Sequence, residues 1–299
     1  MSEATRIEAL RALFAGQGGA SAPGVRVGIG DDAAVLTPPP GELVLTVDEQ
    51  VEGTHFRREW LSLADLGYRA TMTAASDVAA MAAVPWVLVS ALVLPESITD
   101  AELDELAGGQ RDAARELGAS VVGGNLARGA ALSIATPSGA VAGDGIWLAD
   151  GVGLAGAAWR ALLAGVDAPP SVLSAWRRPR ALVAEGRRMH GVAHAAVDLS
   201  DGLARDASHL AAASGVRVVL DGGAIDALVT PDLARVADAL GVAARALVLG
   251  GGEDYAILCA SPVPIDGFVR IGECATGEGV VVRDEGRDVA IDAGFDHFA

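Results

Sequence analysis

Five times along this chain an apolar run breaks at an acid set beside glycine or another small residue. The segments are Gly28-Ile29-Gly30-Asp31-Asp32, Thr46-Val47-Asp48-Glu49, Ser76-Asp77, Asp198-Leu199-Ser200-Asp201-Gly202 and Gly250-Gly251-Gly252-Glu253-Asp254-Tyr255. A sixth, Gly123-Gly124-Asn125, has the same form with an amide in place of the acid. Glycine opens backbone angles closed to other residues. Acids at the ends of apolar strands point into the cleft where α/β folds bind ligands. Neighbouring carboxylates such as Asp31 and Asp32 repel, and solvent or a divalent cation must offset their charge. Mg²⁺ accepts carboxylate, backbone carbonyl and water oxygens. Each segment alone also reads as an acidic turn, because Gly and Asp dominate turns; the recurrence is what favours a shared site.

The individual acids carry different weight. Asp48 ends the apolar run Leu43–Val47, and Asp198 follows Ala195-Ala196-Val197. Ser200 or Asp201 reads equally well as the N-cap of a helix over 202–214, where a phosphate could also sit. Asp77 lies inside an apolar helical stretch, where an unpaired carboxylate is expensive to bury. His55, in Glu52-Gly53-Thr54-His55-Phe56, is either structural or a substrate contact; its place beside the second acidic segment is the reason to consider the latter. His190, His194 and His209 show no pattern. The five tryptophans, Trp60, Trp86, Trp147, Trp159 and Trp176, read as packing residues.

Charge and composition narrow the chemistry. The 299 residues carry a net charge of −17, which disfavours nucleic acid and anionic membrane surfaces as partners. All 22 basic residues are arginine, which removes a phosphate-loop lysine and a Schiff-base lysine. Cys259 and Cys274 are too few for a disulfide framework or a zinc cluster and read as buried small residues in a reducing, cytoplasmic setting. The N-terminal MSEATRIEAL has no signal pattern, and the apolar run Val78–Leu94 is interrupted by Pro85, so no membrane span is expected. Acid clusters without lysine or a His/Cys cluster point to a hard cation, Mg²⁺ rather than zinc. Several Mg²⁺ ions bridging carboxylates and phosphates would make a phosphoryl-transfer site. It needs no protein nucleophile if the acceptor is itself a phosphate, and rests on positioning and charge neutralisation.

Periodicity and punctuation predict helices over 3–15, 62–83 and 99–117, the last with Thr99 and Glu102 as a capping box. Strands are predicted at 33–36, 43–47, 86–94, 119–122 and 131–136. In the second half helices are expected over 153–164, 178–189, 202–214 and 231–240. Strands are expected at 195–199, 216–220, 245–249, 255–260, 268–271 and 279–291. This length suits two domains, with the boundary placed near residue 142. Neither half opens with a Rossmann glycine motif.

In this order the segments GIGDDAAVL, VDEQVEGTHF, SDVAAM, VVGGN, DLSDGLARDASHL, LGGGEDY and the closing GFDHF resemble the thiamine-monophosphate kinase family, from Gly28 to Phe298. That family belongs to the ATP-binding superfamily of aminoimidazole ribonucleotide synthetase, selenophosphate synthetase and the hydrogenase-maturation dehydratase. The resemblance implies an α+β, two-domain aminoimidazole ribonucleotide synthetase-like fold. Residues 1–141 would bind ATP and Mg²⁺ and form a β-barrel shared in a homodimer. Residues 142–299 would be an α/β sandwich completing the nucleotide and substrate site. The implied reaction is ATP-dependent phosphorylation of thiamine monophosphate to thiamine diphosphate. The family's metal positions fall on Asp32, Thr46, Val47, Asp48, Asp77, Asn125, Asp198 and Asp201. Its ATP positions fall on Gly124, Asn125 and Ser200, with Arg128 the nearest basic residue to stand for the family's nucleotide arginine. Its substrate positions fall on His55, Glu253 and Phe295. Departures are the amide Asn125 where the family has an acid, Val47-Asp48-Glu49 where it has Thr-Asp-Thr, and a shortened stretch over 138–144. These leave two other readings: a retasked or inactive homologue binding ATP or another phosphate ligand, or a different ATP-dependent ligase of the superfamily.

Overall fold

The computed structural model describes residues 3–15, 23–30, 33–41, 43–95, 97–127 and 144–291. The chain divides into two compact units, Met1–Ala75 with Val84–Ala135, and Ser76–Ala83 with Thr136–Ala299. The boundary expected near residue 142 and the strand expected at 131–136 lie outside the described residues.

The first unit contains helix α1 (Glu3–Ala15), strands β1 (Val25–Val27) and β2 (Val35–Leu36), most of helix α2 (Leu63–Ala80), strand β3 (Val87–Val93), helix α3 (Asp100–Leu117) and strand β4 (Ser120–Ala127). β3, α3 and β4 make a βαβ unit, its two strands parallel with Val87 opposite Ser120 and Val93 opposite Ala127. α3 starts where the sequence indicates. Thr99 Oγ1 accepts from Glu102 N at 3.2 Å, and Glu102 Oε2 accepts from Thr99 N at 2.7 Å. α2 and α3 cross at backbone distance. A Cβ at Gly109 would stand 1.9 Å from the Ala64 carbonyl oxygen, and one at Gly67 1.9 Å from that of Leu106. Leu10 and Phe14 of α1 join Leu103, Ala107 and Ala114 of α3 and Val121 of β4 in one core.

β3 is apolar on both faces. Leu88 and Leu92 pack against that core, whereas Val89 and Val93 are 69% and 52% exposed. The strand expected at 43–47 does not form; β2 pairs with β1 instead. Leu45 there is 89% exposed, and Leu43 and Val47 are also open to solvent. Alternating apolar residues make a strand only where another strand accepts their hydrogen bonds, and this segment has none among the described residues.

The second unit is built on a seven-stranded mixed sheet in the order β11-β10-β7-β9-β5-β8-β6. Its strands are β5 (Gly145–Ala149), β6 (Ala195–Asp198), β7 (Arg217–Asp221), β8 (Ile257–Ser261), β9 (Val269–Ala275), β10 (Gly279–Asp284) and β11 (Arg287–Ala290). All neighbours are antiparallel except β10 and β7. The helices are α4 (Leu154–Ala164), α5 (Pro170–Arg177), α6 (Val183–Met189), α7 (Leu203–Ser214), α8 (Gly222–Ala227), α9 (Pro231–Leu240) and α10 (Ala244–Gly250). Ala79, from the last turn of α2, belongs to the core formed with Ala149, Leu182, Met189, Ile257, Cys259, Ile265 and Phe268. Both cysteines are buried and free, and burial pushes their thiols up to about 12 at Cys259 and about 11 at Cys274.

Two expectations are corrected here. Residues 245–249 are the helix α10 and not a strand; Leu247 and Val248 are both buried, and a run this short has no period that separates the two. The helix expected over 178–189 is α6 alone, starting at Val183, while Pro170 opens the separate helix α5 at a position that tolerates its missing N–H. No helix among the described residues is long and apolar enough to cross a membrane.

Candidate active site

In the first unit the second acidic segment is a folded loop. Asp48 is exposed, and its Oδ1 accepts the Glu49 amide at 2.7 Å. Thr46 is partly exposed and Val47 exposed; without a side-chain donor, Val47 could reach a cation only through its backbone carbonyl. Two residues after Asp48, Gln50 Oε1 accepts from Nε of Arg69 at 3.1 Å. Arg69 is a fully buried arginine of α2. It ties the loop to the helix, a role that the sequence pattern did not disclose. His55 closes a turn, its amide bonding to the Val51 carbonyl at 2.8 Å. Its Nδ1 accepts the Val51 amide at 3.0 Å, so the neutral ring carries its proton on Nε2. Gly124 stands where a Cβ would come within 1.9 Å of the Ser90 carbonyl of β3. The close pairing of β3 and β4 therefore requires glycine there, independently of any nucleotide.

The second unit holds three of the expected acids and the expected glutamate. Asp198 is the last residue of β6, as expected, and is buried. Its Oδ2 accepts the hydroxyl of Ser76 at 2.6 Å, which brings the end of α2 that carries Asp77 to the end of β6. Asp201 lies two residues beyond Leu199, and Arg205 Nε stands 3.2 Å from its Oδ2.

Neither Ser200 nor Asp201 caps α7. The N-cap is Gly202, with no side-chain cap. Asp206, in the first turn, instead reaches back to the residues before the helix: its Oδ2 takes the amides of Asp201 at 3.0 Å and Gly202 at 3.1 Å. Burial raises the Asp206 carboxyl well above the ordinary range, and the charges of Asp201 and Asp198 add to the shift. Asp206 is thereby held toward its neutral form beside Asp198 and Asp201.

The loop 250–255 lies against this segment. Glu253 N donates to the Ser200 carbonyl at 2.7 Å, and Tyr255 N to that of Leu199 at 2.9 Å. Gly252, at φ 73°, keeps the approach close, since a Cβ there would be 3.0 Å from the Ser200 oxygen. The Glu253 side chain accepts the indole N–H of Trp176 at 3.0 Å. Trp176 is fully buried and sits 5.8 Å, centroid to centroid, from Trp159. Treating all five tryptophans as packing residues is therefore incomplete: Trp176 also fixes a polar group.

Asp32, Arg128 and Phe295, and the side chain of Asn125 on β4, lie outside the described residues. Among the described residues no three His, Cys, Asp or Glu side chains stand close enough to hold a metal by themselves. Asp77, Asp198 and Asp201 are nevertheless oxygen donors of the kind that suits Mg²⁺ and not zinc. The donor chemistry fits a hard cation.

Comparison with known proteins places these segments in context. Residues 30–144 match the family described as AIR synthase related protein, N-terminal domain. The chain is 33% identical to the thiamine-monophosphate kinase of Mycobacterium tuberculosis over an aligned length of 281, covering 87% of this chain and 82% of that protein. Its fold superposes on the thiamine-monophosphate kinase from Stenotrophomonas maltophilia K279a with a TM-score of 0.78 and 29% identity, covering 96% of this chain and 98% of the other. A structure of AaThiL complexed with AMPPCP and TMP superposes with a TM-score of 0.70 and 27% identity, over 80% of this chain and 82% of that one.

Proposed function

We propose, because this chain belongs to the thiamine-monophosphate kinase family, that it transfers the γ-phosphoryl group of ATP to the phosphate of thiamine monophosphate, giving ADP and thiamine diphosphate. The observation that carries this reading is the joined pair of loops 198–202 and 250–255. Their backbones are hydrogen-bonded to each other, and Glu253, its carboxylate held by Trp176, would face substrate while Asp198 and Asp201 hold metal. A relative with AMPPCP and TMP bound supports ATP and thiamine monophosphate as the two ligands.

The residues divide by role. Asp77, Asp198 and Asp201, with Asp32, Asp48, Thr46, the Val47 carbonyl and the Asn125 amide oxygen, would hold Mg²⁺. When bound, Mg²⁺ neutralises polyphosphate charge and orients the reacting groups. Gly124, Asn125, Ser200 and Arg128 would meet the nucleotide. His55, through its Nε2–H, together with Glu253 and Phe295, would orient thiamine monophosphate. No protein nucleophile or base is needed, because the acceptor phosphate is ionised near neutral pH; the chain's contribution is alignment. The two buried thiols suit a reducing, cytoplasmic compartment.

The exposed apolar residues of the first unit support a homodimer. Val89 and Val93 of β3, with Leu43, Leu45 and Val47 on the segment before Asp48, are exposed apolar residues of the kind that a second copy covers. A barrel completed between two copies would also supply a strand partner for 43–47, which has none among the described residues.

The test is ADP release by the purified protein with Mg²⁺ and ATP, with and without thiamine monophosphate, and identification of the product. Turnover that depends on thiamine monophosphate and yields thiamine diphosphate is expected. Asn125 in place of an acid is what favours a second reading, a homologue that binds ATP without this turnover. ATP binding with no dependence on thiamine monophosphate would establish that reading and overturn the first.

A further inference from the structure

Glu253 and Tyr255 hold left-handed backbone angles, φ 63° and φ 53°, on either side of Asp254, and Gly252 before them stands at φ 73°. Side-chain-bearing residues rarely occupy that region, and they persist there only where the surroundings over-determine the backbone. The surroundings here are specific. Asp254 Oδ2 accepts the Gly153 amide at 2.7 Å, and its Oδ1 accepts the Ala155 amide at 3.1 Å. These are the N-cap and the second residue of α4, a helix whose own N-cap glycine offers no side chain. Asp254 therefore caps α4 from a hundred residues away and fixes the turn to it. On the other flank the Glu253 and Tyr255 amides bond to the carbonyls of Ser200 and Leu199, and Trp176 donates to the Glu253 carboxylate.

We propose that Asp254 and Trp176 are positioning residues for the thiamine monophosphate site: Asp254 locks the strained turn to the N-terminus of α4, and Trp176 sets the direction of the Glu253 carboxylate. The inference rests on the reading of Glu253 as a substrate contact. Its consequence is selective. Loosening either anchor moves Glu253 away from thiamine monophosphate and leaves the nucleotide's contacts in place. A purely structural role would weaken both ligands together.

The experiment is titration calorimetry on the full chain with Mg²⁺. Thiamine monophosphate binding is measured in the presence of AMPPCP, and AMPPCP binding is measured separately, for the wild type, E253Q, W176F, D254N and the double variant W176F/E253Q. Removing a hydrogen bond to a charged group predicts that W176F weakens thiamine monophosphate binding by about ten-fold. D254N is expected to do the same or more, with AMPPCP affinity within about two-fold of wild type in both. Because Trp176 acts through Glu253, W176F/E253Q should bind thiamine monophosphate no more weakly than E253Q.

Unchanged thiamine monophosphate affinity in W176F and D254N, beside a loss in E253Q, would overturn the positioning roles while the substrate reading stands. Additive losses in the double variant would do the same for Trp176. No binding by the wild type, or unchanged affinity in E253Q, would overturn the substrate reading and this inference with it. If D254N does not fold, the Trp176–Glu253 cycle decides.

Discussion

Replacing Asp254 with asparagine should change how stability depends on pH, over a window that the structure defines. Burial pushes the Asp254 carboxyl from an ordinary 3.8 up to about 7. The Gly153 and Ala155 amides oppose the shift, and the nearby charges of Glu253 and Asp150 add to it. The unfolded chain releases this proton near pH 4, whereas the folded chain keeps it until about pH 7. Between those values the folded state binds more protons than the unfolded state, so stability falls as pH rises. At about 1.4 kcal/mol per pH unit the whole interval corresponds to ~4 kcal/mol. Asp254 retains some accessible surface, and water screens part of the penalty, so a fall of ~2–4 kcal/mol is expected.

The assay is urea denaturation of wild type and D254N at half-unit steps from pH 5 to pH 8. The quantity of interest is the difference between the two proteins, because acids present in both cancel in it. Among those, Asp206 is raised like Asp254, while Asp226 is held low by Arg245 and Asp288 by Arg283. The wild type should lose ~1 kcal/mol per pH unit relative to D254N between pH 5 and pH 7 and nothing further above pH 8. The asparagine places an N–H₂ against one helix amide, a constant cost that shifts the curve without tilting it. A difference independent of pH would show that Asp254 is ionised throughout, and that its helix amides outweigh its burial.

Four other outcomes follow from the geometry. Gly109→Ala puts a methyl group 1.9 Å from the Ala64 carbonyl and should lower the unfolding free energy by ~1–3 kcal/mol; a melting curve like the wild type's would mean that α2 and α3 separate without penalty. Asp77→Asn and Asp198→Asn should each reduce thiamine monophosphate-dependent turnover by orders of magnitude while far-UV circular dichroism stays the same. Full activity at saturating Mg²⁺ would remove them from the site. Asn125→Asp should lower the Mg²⁺ concentration giving half-maximal rate, and an unaltered Mg²⁺ dependence would turn Asn125 away from the cation. Leu45→Glu together with Val89→Glu should convert a dimer to a monomer by light scattering; a wild type that is itself monomeric would refute the interface.

What could be read from the sequence follows the range of the interactions involved. α1, α3, α4, α7 and α9 are nearly where caps and periodicity put them, because those signals act within one or two turns. Asp198 at a strand end and the pairing of acid with glycine were legible for the same reason. Reading failed where a distant partner decides. Segment 43–47 has strand chemistry and, among the described residues, no strand to pair with. α10 is a helix because Leu247 and Val248 find apolar cover, not because of their local pattern. Ser200 and Asp201 looked like helix caps, yet the N-cap is Gly202, and Asp206 reaches back to tie down the amides of Asp201 and Gly202.

The supports of the site show the same division more sharply. Each acidic segment announces donors, but nothing in Ser76-Asp77 indicates that Ser76 will bond to an aspartate 122 residues on. Trp176 is 77 residues from the glutamate it holds, and Asp254 is 101 from the helix end it caps. A signal for Asp254 was present: a second acid directly after Glu253, in a turn too crowded to leave both carboxylates in water. Two adjacent acids in such a turn point to opposite sides, so if one faces substrate the other must find donors inside the protein. A helix N-terminus with a bare glycine cap supplies such donors at little expense, since its amides need an acceptor in any case. The strained turn and the uncapped helix each resolve the other's deficit, which is why neither could be interpreted from its own stretch of sequence.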